Sequence, residues 1–205
     1  MGATTQSFSI MHHDWHSQSY VEEWIEHDLQ RDEERRARLR NMLAAATYPA
    51  DEAISVLDVG GGYGVVTEEV LRVFPQARVT LQDYSQPMIE EARQRLASHD
   101  PRVGYVQCDL RDPSWTERAG GPFDLAISAI AIHNLGELGA MADCYRGIAR
   151  LLKPGSLFLD YDLFERFGGI ALHTQLLGEA GFARVDLIWQ HSPVAVLAAY
   201  SASAS

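Results

Sequence analysis

Five residues limit what this chain can fold into more than any others: Gly60-Gly-Gly-Tyr-Gly64. They follow an apolar run, residues 54–59, that reads as a buried parallel strand. They precede a helical stretch, residues 67–74, that stops at Pro75. Glycines in that place let the backbone turn sharply and let a ligand approach the main chain, and the helix start offers free N–H groups. The spacing Gly60-x-Gly62-x-Gly64 is not the G-x-G-x-x-G of dinucleotide binders. Asp58 stands just before the loop, where a carboxylate would repel a pyrophosphate and suit an ammonium group. Asp83 ends the next strand, where a carboxylate can accept hydrogen bonds from both hydroxyls of a ribose.

The alternation continues along the chain. Residues 78–82, 103–107, 123–128 and 156–161 read as further strands. Ser85 caps a helix through residue 96, with Pro87 in its first turn. A second helix spans 138–152 and is broken by Lys153-Pro-Gly155; a third spans 170–180 and ends at Gly181. Residues 184–190 and 194–200, parted by His191-Ser-Pro193, form an antiparallel hairpin. Upstream, Ser19 and Glu22 fit a capping box, and Tyr20, Val21, Trp24, Ile25 and Leu29 share one helical face. Another helix covers 32–46. The pattern predicts an α/β fold: an open seven-stranded, mostly parallel sheet with helices on both faces, a C-terminal antiparallel hairpin and an N-terminal helical cap. Residues 1–50 form the arm and cap, and residues 51–205 the ligand-binding domain.

Charge and composition narrow the function. With a formal charge of −11 the surface repels phosphate backbones, which argues against nucleic acid as a partner. The one dense basic stretch, Arg35, Arg36, Arg38 and Arg40, is interleaved with Asp32, Glu33 and Glu34 and reads as intrahelical ion pairs on a solvated face. No apolar run approaches a membrane span, and the first sixteen residues lack the pattern of a signal peptide, so a cytoplasmic enzyme with no membrane partner is expected. Cys108 and Cys144 lack zinc or redox spacing and read as buried thiols. His12, His13 and His16, with Asp14, read as a solvated arm, and no metal is expected.

Five segments in order carry a family resemblance: residues 56–64, Asp83-Tyr-Ser85, Cys108-Asp109-Leu110, Phe123-Asp124-Leu125 and Leu151-Leu-Lys-Pro-Gly155. Together they resemble the cofactor motifs of class I, Rossmann-like methyltransferases that use S-adenosyl-L-methionine (SAM). The resemblance covers roughly residues 54–200 and is of the bacterial, small-molecule type. It implies that the backbone of Gly60 and Gly62 contacts the methionine part of SAM, and that Gly61, Tyr63, Gly64 and Ser128 also belong to the cofactor site. Asp58 would orient the loop or the ammonium, and Asp83 would hold the ribose. Tyr84 and Met88 would line the adenine face, and Asp109 would meet the adenine amino group beside Leu110. A turn aspartate at Asp83 and a helix cap at Asp109 are the plain alternatives.

Methyl transfer needs a nucleophile held in line with the sulfonium methyl and shielded from water. The acceptor pocket lies beyond the carboxyl ends of the strands, so Ala129-Ile-Ala-Ile-His-Asn134-Leu lines it. This segment lacks the Asn/Asp-Pro-Pro-Tyr tetrapeptide that grips an amino group and the Pro-Cys nucleophile used on pyrimidine carbon. Its His133-Asn134 is similar to a sequence common among small-molecule methyltransferases. His133 either acts as a general base or packs beside the methionine moiety and fixes the loop. The link 163–169 is too short to cap a pocket. Trp15, Tyr20 and Trp24 are therefore the lid and substrate candidates, Tyr20 also a catalytic one, with core packing as their alternative.

The expected protein is a monomer or homodimer that methylates a small molecule and yields S-adenosyl-L-homocysteine (SAH). The competing expectations are chemistry on SAM itself, by cyclisation or cleavage, and a SAM-binding inactive or regulatory protein.

Overall fold

The computed structural model describes residues 14–203. His12 and His13 lie outside the described residues. Two helices come first, α1 (Gln18–Leu29) and α2 (Asp32–Leu43). The cap of α1 is Ser17, whose side chain accepts from the Tyr20 N–H; the expected cap, Ser19, is already helical. Ser17 holds the extended backbone a cap requires, and Glu22 bonds Gln18 at 2.9 Å within the helix. Val21 is buried, but Leu29 is 45% exposed, so the apolar stripe stops short of the helix end.

Strands and helices then alternate: β1 (Ser55–Val59), α3 (Val65–Val73), β2 (Arg78–Asp83), α4 (Gln86–Arg95), β3 (Val103–Gln107), α5 (Trp115–Ala119), β4 (Phe123–Ala129), α6 (Leu138–Leu151), β5 (Leu152–Asp162), α7 (Gly169–Glu179), β6 (Arg184–His191) and β7 (Val194–Tyr200). The sheet order is β3-β2-β1-β4-β5-β7-β6. The first five strands are parallel, and β7 runs antiparallel between β5 and β6. This is the α/β architecture that the pattern predicts. The order reverses between β1 and β4, which opens a crevice at their carboxyl ends.

One apolar cluster lies on each face of the sheet. Val21, Leu39, Met42 and Leu43 of the first two helices share a cluster with Val70, Ile89, Leu125 and Ile127. Trp115, Tyr145, Ile148, Phe158 and Leu177 belong to the other. Helix α5 is too short to show a period, and it is anchored by buried Trp115. Helix α6 ends at Leu151 as expected, but strand β5 begins already at Leu152, because Lys153-Pro-Gly155 is taken up in its irregular start opposite β4. Cys108 and Cys144 are both free and buried.

The solvated face expected on α2 holds only in part: Glu33, Glu34 and Arg40 are exposed, but Arg36 is not. Arg36 bonds Asp32 at 2.6 Å, and it also reaches Glu68 at 2.6 Å and the fully buried Glu69 at 2.8 Å on α3. Arg36, Leu39 and Leu43 fall on one helical face, so burying the leucines carries the guanidinium into the helix interface. Glu34 and Arg38 do pair within the helix. Among the described residues, no helix is long and apolar enough to cross a membrane.

Candidate active site

The glycine loop sits where β1 hands over to α3, in the crevice. Gly60, Gly62 and Gly64 have φ of 65°, 53° and 86°, a region that side chains disfavour. A Cβ on Gly60 would stand 2.5 Å from the Ala131 methyl, so the segment after β4 packs directly on this loop. A Cβ on Gly62 would meet only the Met88 sulfur, at 3.9 Å. Several loop amides already have partners. Gly60 N–H donates to Gln82 Oε1 at 3.0 Å, Gly61 N–H to the Gln82 carbonyl at 2.9 Å, and Gly62 N–H to Asp83 Oδ2 at 2.8 Å. Gly64 N–H closes back on the Gly61 carbonyl. A nest that binds pyrophosphate needs such amides turned toward the ligand. These are turned onto β2.

Asp58 lies beneath the loop, fully buried. Its Oδ2 accepts the Thr67 hydroxyl at 2.7 Å, while its Oδ1 has no hydrogen-bond partner among the described residues. Burial pushes its carboxyl up to about 7; the Thr67 bond opposes the rise and the neighbouring Asp83 charge adds to it. A buried oxygen without a donor fits a cationic ligand group. Asp83 accepts from Gly62 N–H and Ser85 N–H, so one carboxylate shapes both the loop and the start of α4. Ser85 caps α4 by accepting from Met88 N–H.

The adenine-side candidates are less concentrated. Tyr84 is 41% exposed, with the His16 ring centred 4.2 Å away, and Met88 is buried. Asp109 Oδ1 accepts from Arg111 N–H at 2.9 Å, so Asp109 closes a local turn, and the position before helix α5 that the cap alternative called for is held by Ser114. Leu110 lines a cavity of about 420 Å³ with Arg111, Glu137, Gly139, Ala140 and Asp143. That cavity shares no residue with the glycine loop. Ser128 donates to the Val59 carbonyl at 3.1 Å, which ties β4 to β1. Tyr63 directs its side chain at the first two helices, where its hydroxyl meets Asp28 and Arg35.

The segment after β4 is strained at Ile130, which is β-branched and sits at φ 54°. Its N–H donates to the Tyr161 carbonyl at 2.7 Å, joining the ends of β4 and β5. His133 follows in a short 3-10 turn, Ile132–Leu135. Its Nδ1 lies 2.5 Å from Asp162 Oδ1, and its backbone N–H donates to Asp162 Oδ2 at 3.0 Å. Asp162 fixes both the ring and the backbone of the histidine. Such a carboxylate holds Nδ1–H and leaves the Nε2 lone pair free to take a proton. The sequence reading missed Asp162, although a carboxylate closing the fifth strand was visible.

Behind this pair lies a second buried group. Tyr145 bonds Asp160 at 3.0 Å and His173 Nδ1 at 2.9 Å, and His173 Nε2 reaches the Phe167 carbonyl. Burial, with the charge of Asp162, holds Asp160 well above the usual carboxylate range. Burial lowers His173.

The three aromatic candidates come together. Trp15 meets Tyr20 edge-on at 5.3 Å and Trp24 at 5.5 Å, and Trp24 meets Tyr63 at 6.0 Å. The Trp15 carbonyl accepts the Ser85 hydroxyl. The cluster therefore bridges α1, the glycine loop and the start of α4.

The strand order, the switch between β1 and β4, and a buried carboxylate under an inward-bonded glycine loop define a class I, Rossmann-like methyltransferase fold. Residues 56–155 match the family model described as a methyltransferase domain. Release factor glutamine methyltransferase of Chlorobaculum tepidum is 35% identical over 88 residues, covering 42% of this chain and 30% of that protein. Trans-aconitate 2-methyltransferase of Azoarcus sp. is 34% identical over 125 residues, covering 61% of this chain and 44% of that protein. The chain thus spans less than half the length of these relatives. Human N-acetylserotonin methyltransferase, solved in complex with SAM, superposes with a TM-score of 0.64 at 19% identity, covering 92% of this chain and 58% of that one.

Proposed function

We propose that this protein binds SAM and transfers its methyl group to a small molecule, releasing SAH. One observation carries the reading: the buried Asp58 oxygen without a partner, beneath a loop whose amides bond to β2. An ammonium group answers that oxygen and a pyrophosphate does not. When bound, the sulfonium supplies an already activated methyl group.

The chain's own residues do the rest. The backbone of Gly60, Gly61, Gly62 and Gly64 passes the methionine part, and Asp83 receives the ribose hydroxyls. Tyr84, Met88, Asp109 and Leu110 receive the adenine. His133 takes the acceptor's proton at Nε2, with its ring held by Asp162. Trp15, Tyr20 and Trp24 exclude water from the site. In this reading residues 1–50 are an arm and cap on a SAM-binding domain of residues 51–205.

The names of the relatives point to both a protein and a small acid as acceptors. The missing amino-gripping tetrapeptide after β4 and the net charge of −11 favour the small molecule. Incubation with methyl-labelled SAM and separated cell fractions tests this. Label should enter the small-molecule fraction. Label on protein or nucleic acid contradicts the acceptor class, and SAM consumed alone to a ring product replaces transfer by cyclisation.

A further inference from the structure

Tyr63 is the only residue of Gly60 to Gly64 that carries a side chain. Four glycines give that loop great freedom, and freedom must be removed before a ligand can be held. On one side β2 holds the loop amides. On the other side Tyr63 is the single handle.

That handle is firmly held. Tyr63 is 4% exposed. Its hydroxyl donates to Asp28 Oδ2 on α1 at 2.7 Å and accepts from Arg35 Nη2 on α2 at 2.7 Å. Arg35 also pairs with Asp28 itself and with Asp32. The Arg95 guanidinium of α4 lies 4.7 Å from the ring centre, and Trp24 of α1 packs against its edge. Two charged groups on two helices therefore meet one neutral hydroxyl in a covered place, where such bonds are strong.

We propose that Tyr63 is a positioning residue for the cofactor. Its hydroxyl, clamped between Asp28 and Arg35, holds the glycine loop in the shape that receives the methionine part of SAM. It also makes α1 and α2, which lie outside the matched residues 56–155, part of the cofactor site. This rests on the SAM reading above.

Tyr63→Phe keeps the ring and removes only the clamped hydroxyl. It should weaken SAH binding about tenfold by calorimetry. Asp28→Asn, which keeps the size of the acceptor, should weaken it in the same direction. Tyr48→Phe is the control: that hydroxyl donates to the Asp124 carbonyl at the amino end of β4, and its loss should leave SAH affinity unchanged. Hydrogen exchange supplies a readout that mere destabilisation does not move. In the wild type SAH should protect both the loop and residues 18–29; in Tyr63→Phe the protection of 18–29 should be lost while the loop keeps part of its own. Equal SAH affinity in wild type and Tyr63→Phe, or equal weakening by Tyr48→Phe, overturns the clamp. A wild type that does not bind SAH overturns the SAM reading first.

Discussion

The two halves of the candidate site are built differently. The proposed cofactor half takes its ligand-facing groups from one place: Asp58, the glycine loop and Asp83 come from one β-loop-α-β stretch, held by hydrogen bonds within that stretch and by the Tyr63 clamp to α1 and α2. The acceptor half is assembled at a distance. His133 and Asp162 are 29 residues apart and meet only because β4 and β5 are neighbours. The first half carries a fixed chemical task and fits a contiguous motif. The second joins loops from the ends of two strands, so its geometry appears only in the fold.

This contrast can be broken by mutation. The largest effect belongs to the acceptor half. His133→Ala should lower kcat by roughly 10²–10⁴, the range of a general base, while SAH affinity stays within about twofold. Loss of SAH binding in that variant would mean that His133 packs against the cofactor and that the halves are not separable. The next effect belongs to the cofactor half. Asp83→Ala removes a charged acceptor of ribose and loop hydrogen bonds, a loss of about 1.5–3 kcal/mol, so SAH should bind roughly ten- to a hundredfold more weakly. Unchanged affinity by calorimetry would remove Asp83 from the site.

What could be read from the sequence follows the same division. The strand-glycine-helix unit is legible because its signals are adjacent and each has one physical meaning. The sheet and its terminal hairpin are legible because the pattern alternates from Ile54 onward. Asp162 was not legible as the partner of His133, since nothing in spacing pairs the ends of two strands. Arg36 does pair with Asp32 as the spacing predicts, but its tie to α3 was not legible, because i,i+4 charge spacing looks the same whether a helix face meets water or another helix; Leu39 and Leu43 on the same face decide it. The Tyr63 clamp was hidden because its partners Asp28 and Arg35 come from helices that precede the whole α/β alternation.

If Asp58 holds a cationic cofactor group, binding must release its proton, and calorimetry reads that release. Without ligand the buried carboxyl titrates at about 7, so at pH 6 it is mostly protonated and at pH 8 mostly ionised. The folded state then binds this proton more tightly than the unfolded chain, and its contribution to stability declines as pH rises from about 4 to about 7. An ammonium ligand reverses the preference by favouring the ionised form. Calorimetry of SAH at pH 6.5, in two buffers of different ionisation heat, should show proton release that fades by pH 8. Affinity should fall by up to about tenfold per pH unit below 7, and Asp58→Asn should weaken binding and abolish the release. SAH binding with no proton exchange and no pH dependence, or preferential binding of a nicotinamide dinucleotide, would contradict the account.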